Sequence, residues 1–206
     1  MNESKRAVTA ALVLCVSTHL CVGDDARVTA PGSKATTPAR HGPAYDKNGA
    51  LKRPDDFRRW VFVGASLGLS YSDAKTEPGE QMFHNVYLEP HAYEHYVKTG
   101  TFPEKTMLAM SVYRADRKST APEKLKGAFE GELISLEVAV KDGARFDDGW
   151  AYFDFSGGSR SKKTAQAFPT KQCYDCHAKH ADDDNVFVQF YPILRRARDQ
   201  RRSQEK

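Results

Sequence analysis

Near the C-terminal end of the chain, in KQCYDCHAKH, two cysteines stand two residues apart and a histidine follows the second: Cys173, Cys176 and His177. Thiols and an imidazole at this spacing can hold a metal ion, cycle between dithiol and disulfide, or carry a haem. A structural zinc ion takes four protein ligands, and although His180 is close by, no second cysteine pair follows. A redox pair of the thioredoxin kind sits at a helix start within a parallel strand-helix-strand frame. Here the motif comes late in a chain rich in candidate strands; a plain structural disulfide is the simpler form of that reading. Covalent haem asks for two thiols on one helical turn, which add to the vinyl groups, and an imidazole next in sequence as proximal iron ligand. Haem c is the cofactor these residues favour, one per chain, with Cys173 and Cys176 as thioether anchors and His177 as the metal ligand.

The iron position opposite His177 would then decide what the protein does. An electron carrier closes it with Met or His, whereas an open iron takes small ligands. Beyond residue 23 the methionines are Met82, Met107 and Met110, all upstream of the motif, and His84, His91, His95 and His180 are the histidine candidates. His91 and His95 stand one turn apart on an expected surface helix and read as solvated. His180 follows His177 by three residues and lies on the same side of the ring. An open distal face is the expectation.

The start of the chain bears on the same chemistry, because c-type haem is attached outside the cytoplasm. MNESKR supplies Lys5 and Arg6, AVTAALVLCV a short apolar run, and Gly23 a small residue before DDARV, the pattern of a secretory signal over residues 1–23. Ser17, Thr18 and His19 interrupt the run, which is short for a membrane span. Leu14 and Leu20 precede Cys15 and Cys21, which argues against a lipid-modified cysteine. Cleavage would remove Cys15 and Cys21 and leave Cys173 and Cys176 as the whole thiol inventory of a periplasmic protein. At 206 residues, 40% hydrophobic and 28% charged, the chain has the composition of one globular domain. Its net charge of +4 is dispersed through the chain, too weak a signal for nucleic acid, and no nucleic-acid partner is expected.

The elements that must position the motif can be read from pattern. Residues 24–45, rich in Ala, Thr, Pro and Gly, read as a flexible linker, 46–200 as the haem domain and 201–206 as a basic tail. Pro54 with Asp55 and Asp56 predicts a helix start that leads Phe57, Trp60, Val61 and Val63 into the core. Met82–Glu89 predicts a strand, and Pro90 and Gly100 bracket a short helix. Further strands are predicted over Thr106–Arg114, Leu133–Val140, Gly149–Phe155 and Asn185–Pro192, the last of them close to a loop in character. A helix around Thr170–Lys179 carries the motif, and ILRRARDQRRSQEK reads as a solvated helix end. Along Leu133–Val140, Ile134, Leu136, Val138 and Val140 share one face and Ser135, Glu137 and Ala139 the other. Glu137 is the one acidic group on that apolar stretch, either a proton acceptor in a pocket or a strand glutamate facing solvent or a basic side chain. Connections too short for repeated crossovers make the sheet antiparallel. The fold class is therefore α+β, mainly antiparallel β-sheet with a few helices.

YDKNGALKRPDDFRRWVFVGASLG, MFHNVYLEPHAYEHYVKTGTFPEKT, GELISLEVAVKD and CYDCHAKHADDDNVFVQFYPILR, in this order over about residues 45 to 198, resemble the cytochrome P-460 family, which includes the cytochromes c′-beta. The resemblance implies a β-rich homodimer with a five-coordinate haem c and a distal pocket built from sheet side chains. It implies two activities: the P-460 enzymes oxidise hydroxylamine with a haem cross-linked to a lysine, and the c′-beta members bind nitric oxide or related ligands in a pocket capped by apolar or aromatic residues. The position matching that lysine falls at or next to Met110, and no lysine stands between Lys105 and Lys118, so only a register shift that brings in Lys105 would restore it. Met110 is thus expected in the distal pocket with Leu108 and Val112 on its face, joined from the neighbouring strand by Met82 and His84 or else by Phe83 and Asn85. A cytochrome that binds nitric oxide or a similar small ligand is the leading expectation. The alternatives are a hydroxylamine oxidoreductase with Glu137 as catalytic base, and an electron carrier that serves a redox partner protein.

Overall fold

The computed structural model describes residues 41–70, 77, 80–116, 127–156 and 162–204. The expected signal segment 1–23, and the expected linker as far as residue 40, lie outside the described residues.

Five strands form the central sheet: β2 (Val61–Leu67), β3 (Met82–Leu88), β4 (Met107–Asp116), β5 (Phe129–Lys141) and β6 (Trp150–Asp154), after a two-residue β1 (Leu51–Lys52). They lie in chain order, each antiparallel to the next, so the chain crosses the sheet one strand at a time. β1 pairs instead with β7 (Thr164–Ala165) in a small separate ribbon. Three helices complete the α+β fold: α1 (Pro90–Thr99), α2 (Thr170–His180) and α3 (Pro192–Gln204). No helix among the described residues is long and apolar enough to cross a membrane.

The sheet separates two apolar clusters. On one face Val86, Leu88, Leu108 and Tyr152 pack with Tyr96 of α1, Leu194 of α3 and Cys173 and Tyr174 of α2. On the other, Met107, Ala109, Val138 and Phe153 pack with Phe57, with Leu51 of β1 and with Ala165 of β7. β4, in the middle, is covered on both sides, which is why MLAMSV reads as an almost continuous apolar run rather than a clean alternation. Tyr45, at the end of the expected linker, bridges to Leu51 and packs against the second cluster.

Two expectations are corrected. Pro54 opens only a 3-10 turn, Phe57–Arg59, after which Val61–Leu67 is a strand rather than a helix. Val61, Phe62 and Val63 are β-branched or aromatic, stiff at χ1 and suited to a pleated surface, and β3 offers them an edge to bond. Phe57 and Val63 are buried as expected, while Trp60 and Val61 are only half-buried. Nor is Asn185–Pro192 a strand. Asp184 and Asn185 take positive φ values of 45° and 60°, which interrupt an extended run, and a 3-10 turn at Val188–Phe190 leads into α3.

Local signals at α1 hold as read. Glu89 accepts from the Ala92 amide at 3.0 Å, a cap worth about 1 kcal/mol, and Gly100 closes the helix at φ 73°. A β-carbon on Gly100 would collide with the Arg201 guanidinium. Its absence lets Arg201 of α3 donate to the Thr99 carbonyl and tie α3 to α1, and the helix runs into the expected tail as far as Gln204.

Candidate haem site

Cys173, Cys176 and His177 fall on α2 at spacings of three and four residues, the separations that bring side chains onto one side of a helix. α2 lies against β6, with Cys173 and Tyr174 touching the first apolar cluster, yet none of its residues is buried. His177 is half-buried between the rings of Tyr152, with centroids 4.4 Å apart, and Phe187, at 4.6 Å. Its Nδ1 stands 2.8 Å from the Asn185 carbonyl oxygen. A carbonyl can only accept, so the proton sits on Nδ1 and the Nε2 lone pair is left for a metal. Burial lowers the His177 pKa, against the opposing effect of the Asn185 bond, and so favours the neutral, ligating form.

Strand register builds the surface beside the motif, since residues directly opposed in an antiparallel pair share a face. One row across the sheet reads Gly64, Val86, Met110, Glu137 and Asp154; the next reads Leu88, Leu108, Ala139 and Tyr152. A third row holds Ser66, His84, Val112 and Ser135. The open question of the neighbouring strand is thereby decided: Met82 and His84 share the face of Met110, and Phe83 and Asn85 point the other way. At Gly64 a β-carbon would sit 3.0 Å from the Tyr191 ring, so the glycine lets the 190–192 segment cross the sheet closely.

Glu137 is opposed by Met110 on one side and Asp154 on the other. Burial raises its pKa first and the Asp154 carboxylate second, against a hydrogen bond from Ser135. Burial also raises the Cys173 thiol pKa, and Glu137 contributes; Cys173 and Met110 both pack against the first apolar cluster. For a carboxyl group raised on folding, the stabilising preference is complete below its ordinary value of 4.5 and is lost as pH climbs through the raised one. Glu137→Gln stays neutral throughout. The variant is therefore expected to be more stable than the wild type near neutral pH, with the gap closing as pH falls toward 4.5, in denaturant titrations of the chain.

The remaining sequence candidates separate by position. Met107 packs in the cluster on the opposite face. His91 lies against the His41 ring at 5.4 Å, the His95 ring nitrogen is 3.3 Å from the Thr101 hydroxyl, and His180 is exposed on α2. Met82, His84 and Met110 remain on the motif's side of the sheet. His84 is 6% exposed, burial lowers its pKa, and its Nδ1 has no hydrogen-bond partner. Lys105 does not replace a lysine at Met110: it precedes β4 and its ammonium pairs with Asp142. Sequence reasoning missed Tyr152 and Asn185. Alternation along GWAYFDF could have placed Tyr152 with Trp150 and Asp154, but nothing local marks Asn185 as the partner of His177.

The fit to a haem can be tested on these atoms. Tyr152 Oη and Asn185 Oδ1 are buried beside His177 without hydrogen-bond partners, and a thiol-bearing helix with no buried residue faces an apolar sheet. A flat, largely apolar group with polar edges suits such surroundings. Among the described residues no group of three or more His, Cys, Asp or Glu side chains gathers to hold a free metal ion. A search of curated proteins finds no match to the chain. The family model described as Cytochrome P460 matches residues 54–188, a span that takes in the whole sheet, α1, α2 and the turn that binds His177. The chain therefore belongs to the cytochrome P460 family of haem proteins.

Proposed function

We propose that this chain is an exported cytochrome with one haem c, joined through Cys173 and Cys176 and ligated by His177, that binds nitric oxide or a similar small ligand on the iron face opposite His177. The observation that carries this reading is the row Val86, Met110 and Glu137 on the sheet face whose apolar cluster Cys173 also touches: a thioether stands at or next to the position where the resemblance calls for a cross-linking lysine. When bound, the haem supplies an iron able to take a small neutral ligand. The chain does the rest. His177, held in one tautomer by Asn185, presents Nε2. Val86, Met110 and Val112 form an apolar wall that excludes water and favours an uncharged diatomic over a charged competitor. Burial, and then the Asp154 carboxylate, raise the Glu137 pKa and so disfavour a negative charge at that wall.

Holoprotein matured in a host that assembles haem c tests this. After reduction, a high-spin five-coordinate spectrum is expected, converting stoichiometrically on titration with nitric oxide or carbon monoxide. A low-spin six-coordinate spectrum in both oxidation states would overturn the open site and favour an electron carrier ligated by His84, Met82 or Met110. A second reading, hydroxylamine oxidation, is favoured by the adjacent Glu137 and Asp154 carboxyls, because that reaction needs a positioned base. With hydroxylamine and an artificial electron acceptor, binding with slow or no multiple turnover is expected. Sustained turnover that disappears in His177→Gly would favour the second reading.

A further inference from the structure

We propose that the Asp182–Asp184 turn is a positioning clamp that sets the basicity of His177 toward the haem iron, with Asp184 its principal positioning residue. The inference rests on His177 being the iron ligand.

Three consecutive aspartates lead to Asn185, and each is held by a different part of the fold. Asp182 Oδ2 accepts from Arg198 of α3 at 2.6 Å, and Asp183 Oδ2 from the Tyr96 hydroxyl of α1 at 2.9 Å. Asp184 uses both oxygens: Oδ1 accepts from Trp150 Nε1 of β6 at 3.0 Å and Oδ2 from Lys141 Nζ of β5 at 2.7 Å. Lys141 also donates to the Phe102 carbonyl at 2.8 Å, so its ammonium is fixed from two directions. At the base of the turn Gln189 accepts from the Asp182 amide and donates to the His180 carbonyl, at 3.0 and 2.7 Å, joining the turn to the end of α2.

These contacts converge on one carbonyl. Asp184 and Asn185 both have left-handed φ, a conformation that non-glycine residues keep only where the surroundings hold them and that Asp and Asn tolerate best. With that backbone held, the Asn185 oxygen points at His177 Nδ1 from 2.8 Å. A firm bond there makes the imidazole a stronger donor through Nε2 and stabilises the ferric state. The aspartates are unequal. The Asp182 side chain is 46% exposed, where an ion pair adds little, whereas Asp184 is 29% exposed and meets two donors, one of them on a buried tryptophan.

The test compares Asp184→Ala, Asp184→Asn and Trp150→Phe holoproteins with the wild type, reading the midpoint potential and the ferrous iron–histidine stretching band. Asp55→Asn, an exposed carboxylate paired only with Arg53 on the described residues, is the charge-matched control. Asp184→Ala is expected to lower the band frequency and shift the one-electron equilibrium toward ferrous iron by roughly tenfold, about 59 mV. Asp184→Asn keeps an acceptor for Trp150 and tolerates left-handed φ, so it should retain more than half of the wild-type behaviour. Trp150→Phe removes a single donor and should move both readouts the same way by less, which keeps the test intact if Asp184→Ala does not fold. Asp55→Asn should move neither. Wild-type potential and band in both Asp184→Asn and Trp150→Phe, and in Asp184→Ala where it folds, would refute the clamp. A band that survives His177→Gly would instead refute the ligand assignment on which it rests.

Discussion

Replacing both Cys173 and Cys176 with alanine is expected to abolish all haem that survives acid extraction, the largest change that any substitution in this chain should produce. Both stand on the helix that carries His177, with no disulfide between them, and the other cysteines, Cys15 and Cys21, lie in the expected signal segment. Cys173→Ala or Cys176→Ala alone leaves one thioether, so each single variant should keep acid-stable haem in smaller yield. The two should differ in stability. Cys173 packs against the apolar cluster and loses contacts on truncation, while Cys176 is exposed and should lose almost none. Intact mass and acid-acetone extraction read the outcome directly. Wild-type protein from a host with haem c maturation that shows the mass of the bare polypeptide would sink the covalent assignment.

Met110→Lys should change ligand binding far more than Tyr113→Lys on the same strand. Met110 is opposed by Val86 and Glu137 on the motif's face, whereas Tyr113 is opposed by Phe83 and Leu133 on the other side, beyond a register shift at Val112. An ammonium introduced at Met110 would stand within cross-strand reach of Glu137, roughly 5 Å between β-carbons. The pair should draw Glu137 into its ionised form and bring water to a wall that is otherwise apolar. Affinity for nitric oxide or carbon monoxide is expected to fall by at least about tenfold, or about 1.4 kcal/mol, in Met110→Lys and to change by less than about twofold in Tyr113→Lys. Equal, unchanged affinities in the two variants would mean that the Met110 row does not face the ligand. A lysine that instead forms a stable link to the haem would show as a shifted chromophore and added mass, and would place Met110 at the position of the family's cross-link.

What the sequence alone determined is what depends on neighbours within a turn or two. Cys173, Cys176 and His177 share a helix face because the helical period brings residues three and four apart together, whatever the rest of the fold does. Pro90 and Gly100 mark the ends of α1 through their own backbone preferences, and the alternation in Leu133–Val140 follows from the two-residue pleat. The antiparallel sheet was legible from the order and spacing of the strand candidates, which leave no room for repeated crossovers, a limit set by chain length rather than by neighbouring residue types. Val61–Leu67 was not, because its state rests on the bonding edge that β3 presents and not on the Pro54 start signal upstream. Register likewise decided that His84 rather than Asn85 shares the face of Met110, since a slip of one residue exchanges the two faces of a strand. Tertiary structure alone joined His177 to Asn185 and Asp184 to Lys141, 43 residues apart in sequence. A hydrogen bond between such positions leaves no local pattern of residue types; only the packed sheet and helices bring its donor and acceptor within 3 Å.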